Sequence, residues 1–209
     1  MNSKGVFYHL MAGVLVALGC GTAAQAGFVL DINQVGADVV GTGSGTIDLA
    51  DLTSLGSTNG GGLIWGNPTP DSSGIGLGGV VPQAVDGWIG TVTGSTAIFA
   101  TGGLLEADSG SGDAVDIIPL YDSPQGAIFV PTGYVSGSAL SDTSTWDNTT
   151  IAALGLIPGT YTYNWGSGAD ADFFTINIGQ STPEPGTAWL LAGGFALFIF
   201  ARRLRARIN

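Results

Sequence analysis

Between Gly27 and Gln180 the chain has no lysine, arginine or histidine. Its five basic residues sit at the ends, Lys4 at the start and Arg202, Arg203, Arg205 and Arg207 at the finish, and its one histidine, His9, is near the N-terminus. Every acidic residue except Glu184 lies in the cation-free stretch. Phosphate binding needs clustered cations, so this region has no nucleic acid as its partner. Ser-His-Asp catalysis is excluded with the histidine. The chain has one cysteine, Cys20, and no disulfide framework can be built from it. Zinc and copper sites of the usual His/Cys kind are absent for the same reason. Charged residues amount to 10% of the chain, against about a quarter in ordinary domains.

What is abundant is glycine, 36 residues of 209, together with serine, threonine and aspartate. Glycine supplies the positive φ of tight turns, and Thr, Val and Ile fit a pleated surface, so this composition suits short strands joined by turns. Period-two alternation bears that out in short pieces. Phe28, Leu30 and Ile32 share one face of "FVLDIN"; Ile47 and Leu49 share one in "TIDLAD"; Phe174, Ile176 and Ile178 share one in "FFTINIG". Pro158-Gly159 turns the chain into "TYTYNWG", where Tyr161, Tyr163 and Trp165 point one way. "GGLIW", "GWIGTVTG", "TAIFA", "AVDII" and "GAIFV" are further strand candidates, giving about eight or nine strands. The expected fold is all-β: a single antiparallel β-sandwich or jelly-roll-like domain over residues 27–180. No helix longer than two turns is expected, and the one place for such a helix is "TTIAALGL".

The two ends carry addresses. Residues 1–26 combine Lys4, an apolar run from Leu10 to Leu18 and the small-residue site Ala24-Gln25-Ala26, the parts of a secretory signal peptide cleaved after Ala26. Export through the Sec machinery follows, and cleavage there also removes Cys20. Lipoprotein processing at Cys20 is the alternative, but "ALGC" is a poor lipobox. Residues 181–209 hold Pro183-Glu184-Pro185, an unbroken apolar or small stretch over 188–201, and the arginine cluster. Fourteen helical residues at about 1.5 Å each reach roughly 21 Å, short of a hydrocarbon core of about 30 Å, and Thr187, Trp189 and snorkelling arginines extend that reach. A buried core helix is the competing reading of such a run. The arginines favour a membrane anchor with its C-terminal end in the cytoplasm and everything before it outside.

Pro183, Glu184 and Pro185, the apolar stretch with its Gly193-Gly194 pair, and Arg202-Arg203 together resemble the PEP-CTERM sorting domain of Gram-negative bacteria. That resemblance covers about residues 182–205. It implies recognition of Pro183, Glu184 and Pro185 by an exosortase-like membrane transpeptidase, a temporary tether, and delivery to the cell surface or an extracellular polysaccharide matrix. The exported region, with "DINQVGADVV" early and "LGLIPGTYTYNWG" and "DFFTINIG" late, also resembles a group of PEP-CTERM proteins for which no activity is implied.

Chemistry in the exported region rests on oxygen. "EADSGSGDAVD" places Glu106, Asp108, Asp113 and Asp116 around a Gly-Ser loop, which makes them candidates for a calcium site, with solvated turn acids as the plainer reading. Asp170 and Asp172 are expected two apart on one strand face. Glu106, the one glutamate of the region, is the natural acid of a two-carboxylate glycosidase, the least favoured function. Trp65, Trp88, Trp146 and Trp165, with Tyr121, Tyr134, Tyr161 and Tyr163, are either core residues or sugar-stacking platforms. No catalytic residue and no cofactor is assigned. The expectation is a non-enzymatic, exported, acidic β-domain, with a carbohydrate-binding module as the alternative.

Overall fold

The structure, a computed structural model, describes residues 27–66 and 72–179. The signal peptide with Ala24 and Ala26, and the sorting segment with Pro183, Glu184, Pro185, Arg202 and Arg203, lie outside the described residues. Among the described residues no helix is long and apolar enough to cross a membrane.

The described chain is all-β. Its strands are β1 (Phe28–Val35), β2 (Asp38–Gly45), β3 (Thr53–Gly60), β4 (Leu63–Gly66), β5 (Ser73–Leu77), β6 (Gln83–Thr91), β7 (Thr93–Gly94), β8 (Leu104–Glu106), β9 (Ser109–Gly112), β10 (Val115–Pro119), β11 (Gln125–Pro131), β12 (Leu140–Trp146), β13 (Gly159–Trp165) and β14 (Asp172–Ile178). They form two seven-stranded sheets, in the orders β7-β13-β14-β1-β2-β12-β9 and β3-β6-β11-β10-β5-β4-β8. One core joins them: Phe28, Leu30 and Phe174 from the first sheet share a cluster with Ile75, Ile117 and Ile128 from the second. The arrangement is sandwich-like, because each sheet has an apolar face that only the other can cover.

The alternation read in the sequence is the alternation of burial. Phe28, Leu30 and Ile32 are fully buried, as are Phe174, Ile176 and Ile178, while the residues between them are half-buried. Tyr161, Tyr163 and Trp165 turn inward together. The first and last strands lie side by side and run parallel, Phe28 opposite Phe174 and Ile32 opposite Ile178. That pair departs from a purely antiparallel sandwich; every other strand pair is antiparallel.

Several elements differ from the sequence expectation. "DVVGTGSG", "TSLGSTNG", "SGIGL", "SGSG" and "LSDTSTW" are strands β2, β3, β5, β9 and β12 without an apolar alternation of their own. In β2 glycine takes inward places because the facing side chain leaves no room: a Cβ on Gly43 would lie 2.6 Å from Phe28 Cζ, and one on Gly41 2.7 Å from Leu77 Cδ2. "TIDLAD" buries Ile47 and Leu49 as expected but joins no ladder. Its N–H groups are taken by side chains instead, Ile47 N–H by Tyr134 Oη at 3.0 Å and Leu49 N–H by Ser136 Oγ at 2.9 Å. "TAIFA" buries Phe99 and Ala100 yet makes only an isolated bridge, Ala100 to Leu156. "TTIAALGL" closes a single turn, Leu154 N–H to Thr150 O, and stops at Gly155, whose φ of 69° ends the helical path.

Candidate functional site

The four acids of "EADSGSGDAVD" go to different places. Glu106 ends the edge strand β8 and is exposed. Asp108 accepts the N–H of Asp147 at 2.8 Å through Oδ2, and Asp113 accepts the N–H of Ser141 at 2.8 Å in the same way. Asp108 thus holds the chain just past the end of β12 and Asp113 an N–H near its start, local backbone bonding that aspartate commonly makes. Asp116 lies on β10 with 7% of its surface exposed. Among the described residues no three acids stand together as a group able to hold a metal ion. Asp170 belongs to a short 3-10 turn, Gly168–Asp170, and not to a strand, so it does not share a face with Asp172.

Asp172 instead organises a corner with Asp48. Its Oδ2 accepts the Asp48 N–H at 2.5 Å and its Oδ1 the Phe173 N–H at 2.7 Å. Burial raises the Asp172 carboxyl above the ordinary range, against those two N–H donors. Asp48 accepts from Ser136 Oγ and from the Ala50 N–H through Oδ1, and its carbonyl takes the Trp165 indole N–H at 2.8 Å. Tyr134 Oη closes the corner by donating to Ser138 O at 2.7 Å. Three separate stretches of chain are thus pinned around residues 46–50. Sequence reasoning missed this corner, because neither acid stands in a motif and the contact joins residues 124 positions apart.

Two shallow depressions share Thr93, and one of them reaches Trp165 of the pinned corner. One, of about 340 Å³, is bordered by Asp51, Thr91, Asn164 and Ser167. The other, of about 350 Å³, is bordered by Tyr121, Asp122, Ser95 and Thr96. Each is at the small end of ligand-site volumes, about 300–1,000 Å³. Their borders hold hydroxyls, an amide and two carboxylates, with no cation, and Tyr121 is fixed by a hydrogen bond between its Oη and Ser73 Oγ. Glu106 borders neither depression.

The aromatic residues divide by position. Trp146, Trp165, Tyr161 and Tyr163 are buried in the core. Trp88 and Tyr134 are partly buried and pack against that core, and Trp65 on β4 is half-buried. Tyr121 alone among the eight borders one depression as a half-buried ring, whereas Trp165 reaches the other only with 4% of its surface exposed. No family model, curated protein or solved structure matches this chain.

Proposed function

We propose that this chain is an exported, non-enzymatic surface or matrix protein: a signal peptide, residues 1–26, sends it through the Sec machinery, and the segment 181–209 holds it in the membrane until an exosortase-like transpeptidase processes it. One observation carries this reading. Among the described residues the first strand opens at Phe28, two residues after Ala26, and the last closes at Ile178, five residues before Pro183. Both address segments therefore lie outside the described strands, and removing either takes away none of those fourteen. The absence of Lys, Arg and His from residues 27–180 supports it too, since an exported acidic surface stays soluble through its own net charge. Mass spectrometry of both termini in the producing cell tests the reading. A chain beginning at Gly27 and lacking Arg202 and Arg203 is expected; replacing Pro183 and Glu184 by alanine is expected to leave the arginines in place.

A second reading, a carbohydrate-binding module, is favoured by the two depressions that meet at Thr93. Their hydroxyls, Asn164, Asp51 and Asp122 match the hydrogen-bonding demand of a neutral sugar, and the ring of Tyr121 offers a stacking edge. Glycan-array binding that is lost in Asp122→Ala supports this reading. No binding to neutral glycans removes it and leaves the first reading intact.

A further inference from the structure

The sandwich buries carboxyl groups and gives them no cation. Asp116 is 7% exposed and Asp142, on β12, is 3% exposed. Oδ1 of Asp116 and both oxygens of Asp142 have no hydrogen bond of good geometry, and the one backbone donor that bears on Asp142 is the Gly43 N–H, which favours its charged form. No lysine, arginine or histidine exists in residues 27–180 to pair with either.

Their surroundings are apolar or backbone on each side. Beside Asp116, β5 contributes Gly76 and β11 contributes Phe129. The end of β3 contributes Gly60, where a Cβ would lie 2.5 Å from Asp116 Oδ2, and the next residue, Gly61, donates its N–H to the carboxyl. The charged group that bears on Asp116 is Asp142. Beside Asp142, β2 contributes Gly43, β9 contributes Gly112, and the ring of Phe28 from β1 faces the same place. The charged group that bears on Asp142 is Asp113. An ionised carboxylate in either position would lack solvent and a cation, and would face a like charge; that combination is among the most unfavourable a fold can hold.

We propose that the folded domain carries Asp116 and Asp142 as neutral acids in mildly acidic water, and that it is therefore tightest in acid and loosens as alkali withdraws the two protons. The glycines serve this arrangement: only Gly60 and Gly76 leave room for the Asp116 carboxyl, and only Gly43 leaves room for that of Asp142. The inference does not depend on export or on sugar binding.

The direction follows from proton counting. Both acids start from an ordinary value of 3.8; burial and the charge of Asp142 push Asp116 up to about 8, and burial and the charge of Asp113 push Asp142 up to about 7. Between the ordinary and the raised values the folded state binds more protons than the unfolded chain, so stability falls as pH rises. The contribution is complete below the ordinary value and gone above the raised ones. Asp172, also raised by burial, acts in the same direction.

Chemical denaturation of the full-length chain in detergent, from about pH 5 to about pH 9, reads this directly. The unfolding constant is expected to rise by up to about tenfold per pH unit for each acid through the lower half of that range, and to level off above the raised values. Asp116→Asn and Asp142→Asn, each the shape of a neutral acid, are expected to fold and to remove one acid's share of the slope. A flat wild-type curve, or a slope unchanged in both variants, overturns the proposal. Should the variants not fold, infrared spectroscopy of the wild type decides it. A protonated-carboxyl band present in mild acid and lost in alkali supports the proposal, and no such band overturns it. Recovery of alkaline stability by calcium, but not by sodium chloride of equal ionic strength, would place a cation between the acids and likewise overturn it.

Discussion

Asn177 donates its Nδ2–H to Asp31 Oδ1 at 2.9 Å, joining the last strand to the first across 146 residues. The two sit opposite each other in the parallel register of β1 and β14, in the middle of a seven-stranded sheet. Strand β1 has only β2 as a partner until β14 arrives. Such long-range pairing is slow, since closing a long loop must precede the contacts that reward it. In a chain that crosses a membrane N-terminus first, the sheet closes only after nearly all of the domain has emerged.

A chain ending at residue 171, without β14, is therefore expected to lose cooperative unfolding, because it opens the sheet between β1 and β13 and bares Phe28, Leu30 and Tyr161. A chain ending at residue 180 is expected to unfold at the same denaturant midpoint as the longer one. Circular dichroism during denaturation distinguishes these outcomes.

The core and the edge are expected to respond very differently to truncation. Phe174 is fully buried, with its ring centroid 5.0 Å from that of Phe28. Phe174→Ala should destabilise by about 3–5 kcal/mol, the sum of lost transfer energy and a cavity. Leu55 on the edge strand β3 is 54% exposed, and Leu55→Ala should change stability by no more than about 0.5 kcal/mol.

How far the sequence disclosed the fold follows the same division. Where an inward face is built from Phe, Leu, Ile or Tyr, as in β1, β13 and β14, alternation places the strand within a residue or so of where it is. Where the inward face is glycine, as at Gly41 and Gly43 of β2, the pattern is silent, because the reason for glycine is a side chain on a distant strand. The segment around Ile47 shows the reverse: alternation correctly marks burial, yet Tyr134 and Ser136 take the hydrogen bonds that a neighbouring strand would have taken. The acids were legible as turn residues, and Asp108 and Asp113 are that. The seclusion of Asp116 and Asp142 was not, since it depends on Gly60, Gly76 and Gly43 from other strands.

Steric necessity at those glycines can be measured. Gly43→Ala would drive a methyl group into the Phe28 ring and the Asp142 carboxyl, and should destabilise by about 1–3 kcal/mol. Gly103→Ala, with nothing within 4 Å of the new carbon, should stay within about 0.5 kcal/mol of the parent. Equal effects at the two positions would contradict this account of β2.

The Asp48–Asp172 corner predicts coupling. Asp172→Ala leaves the N–H groups of Asp48 and Phe173 without their acceptor, and Tyr134→Phe does the same to Ile47 N–H. Each should destabilise by about 1–3 kcal/mol. The double variant should lose less than the two combined, because residues 47 and 48 are adjacent and come loose together.

The central claim is that two terminal addresses deliver this acidic sandwich out of the cytosol and are then removed. Fractionation of producing cells with intact-mass measurement of the chain tests it most directly. The account predicts an extracytoplasmic protein that starts at Gly27 and has lost the arginine cluster. A cytosolic protein with the mass of the whole chain, Met1 to Asn209, would contradict it.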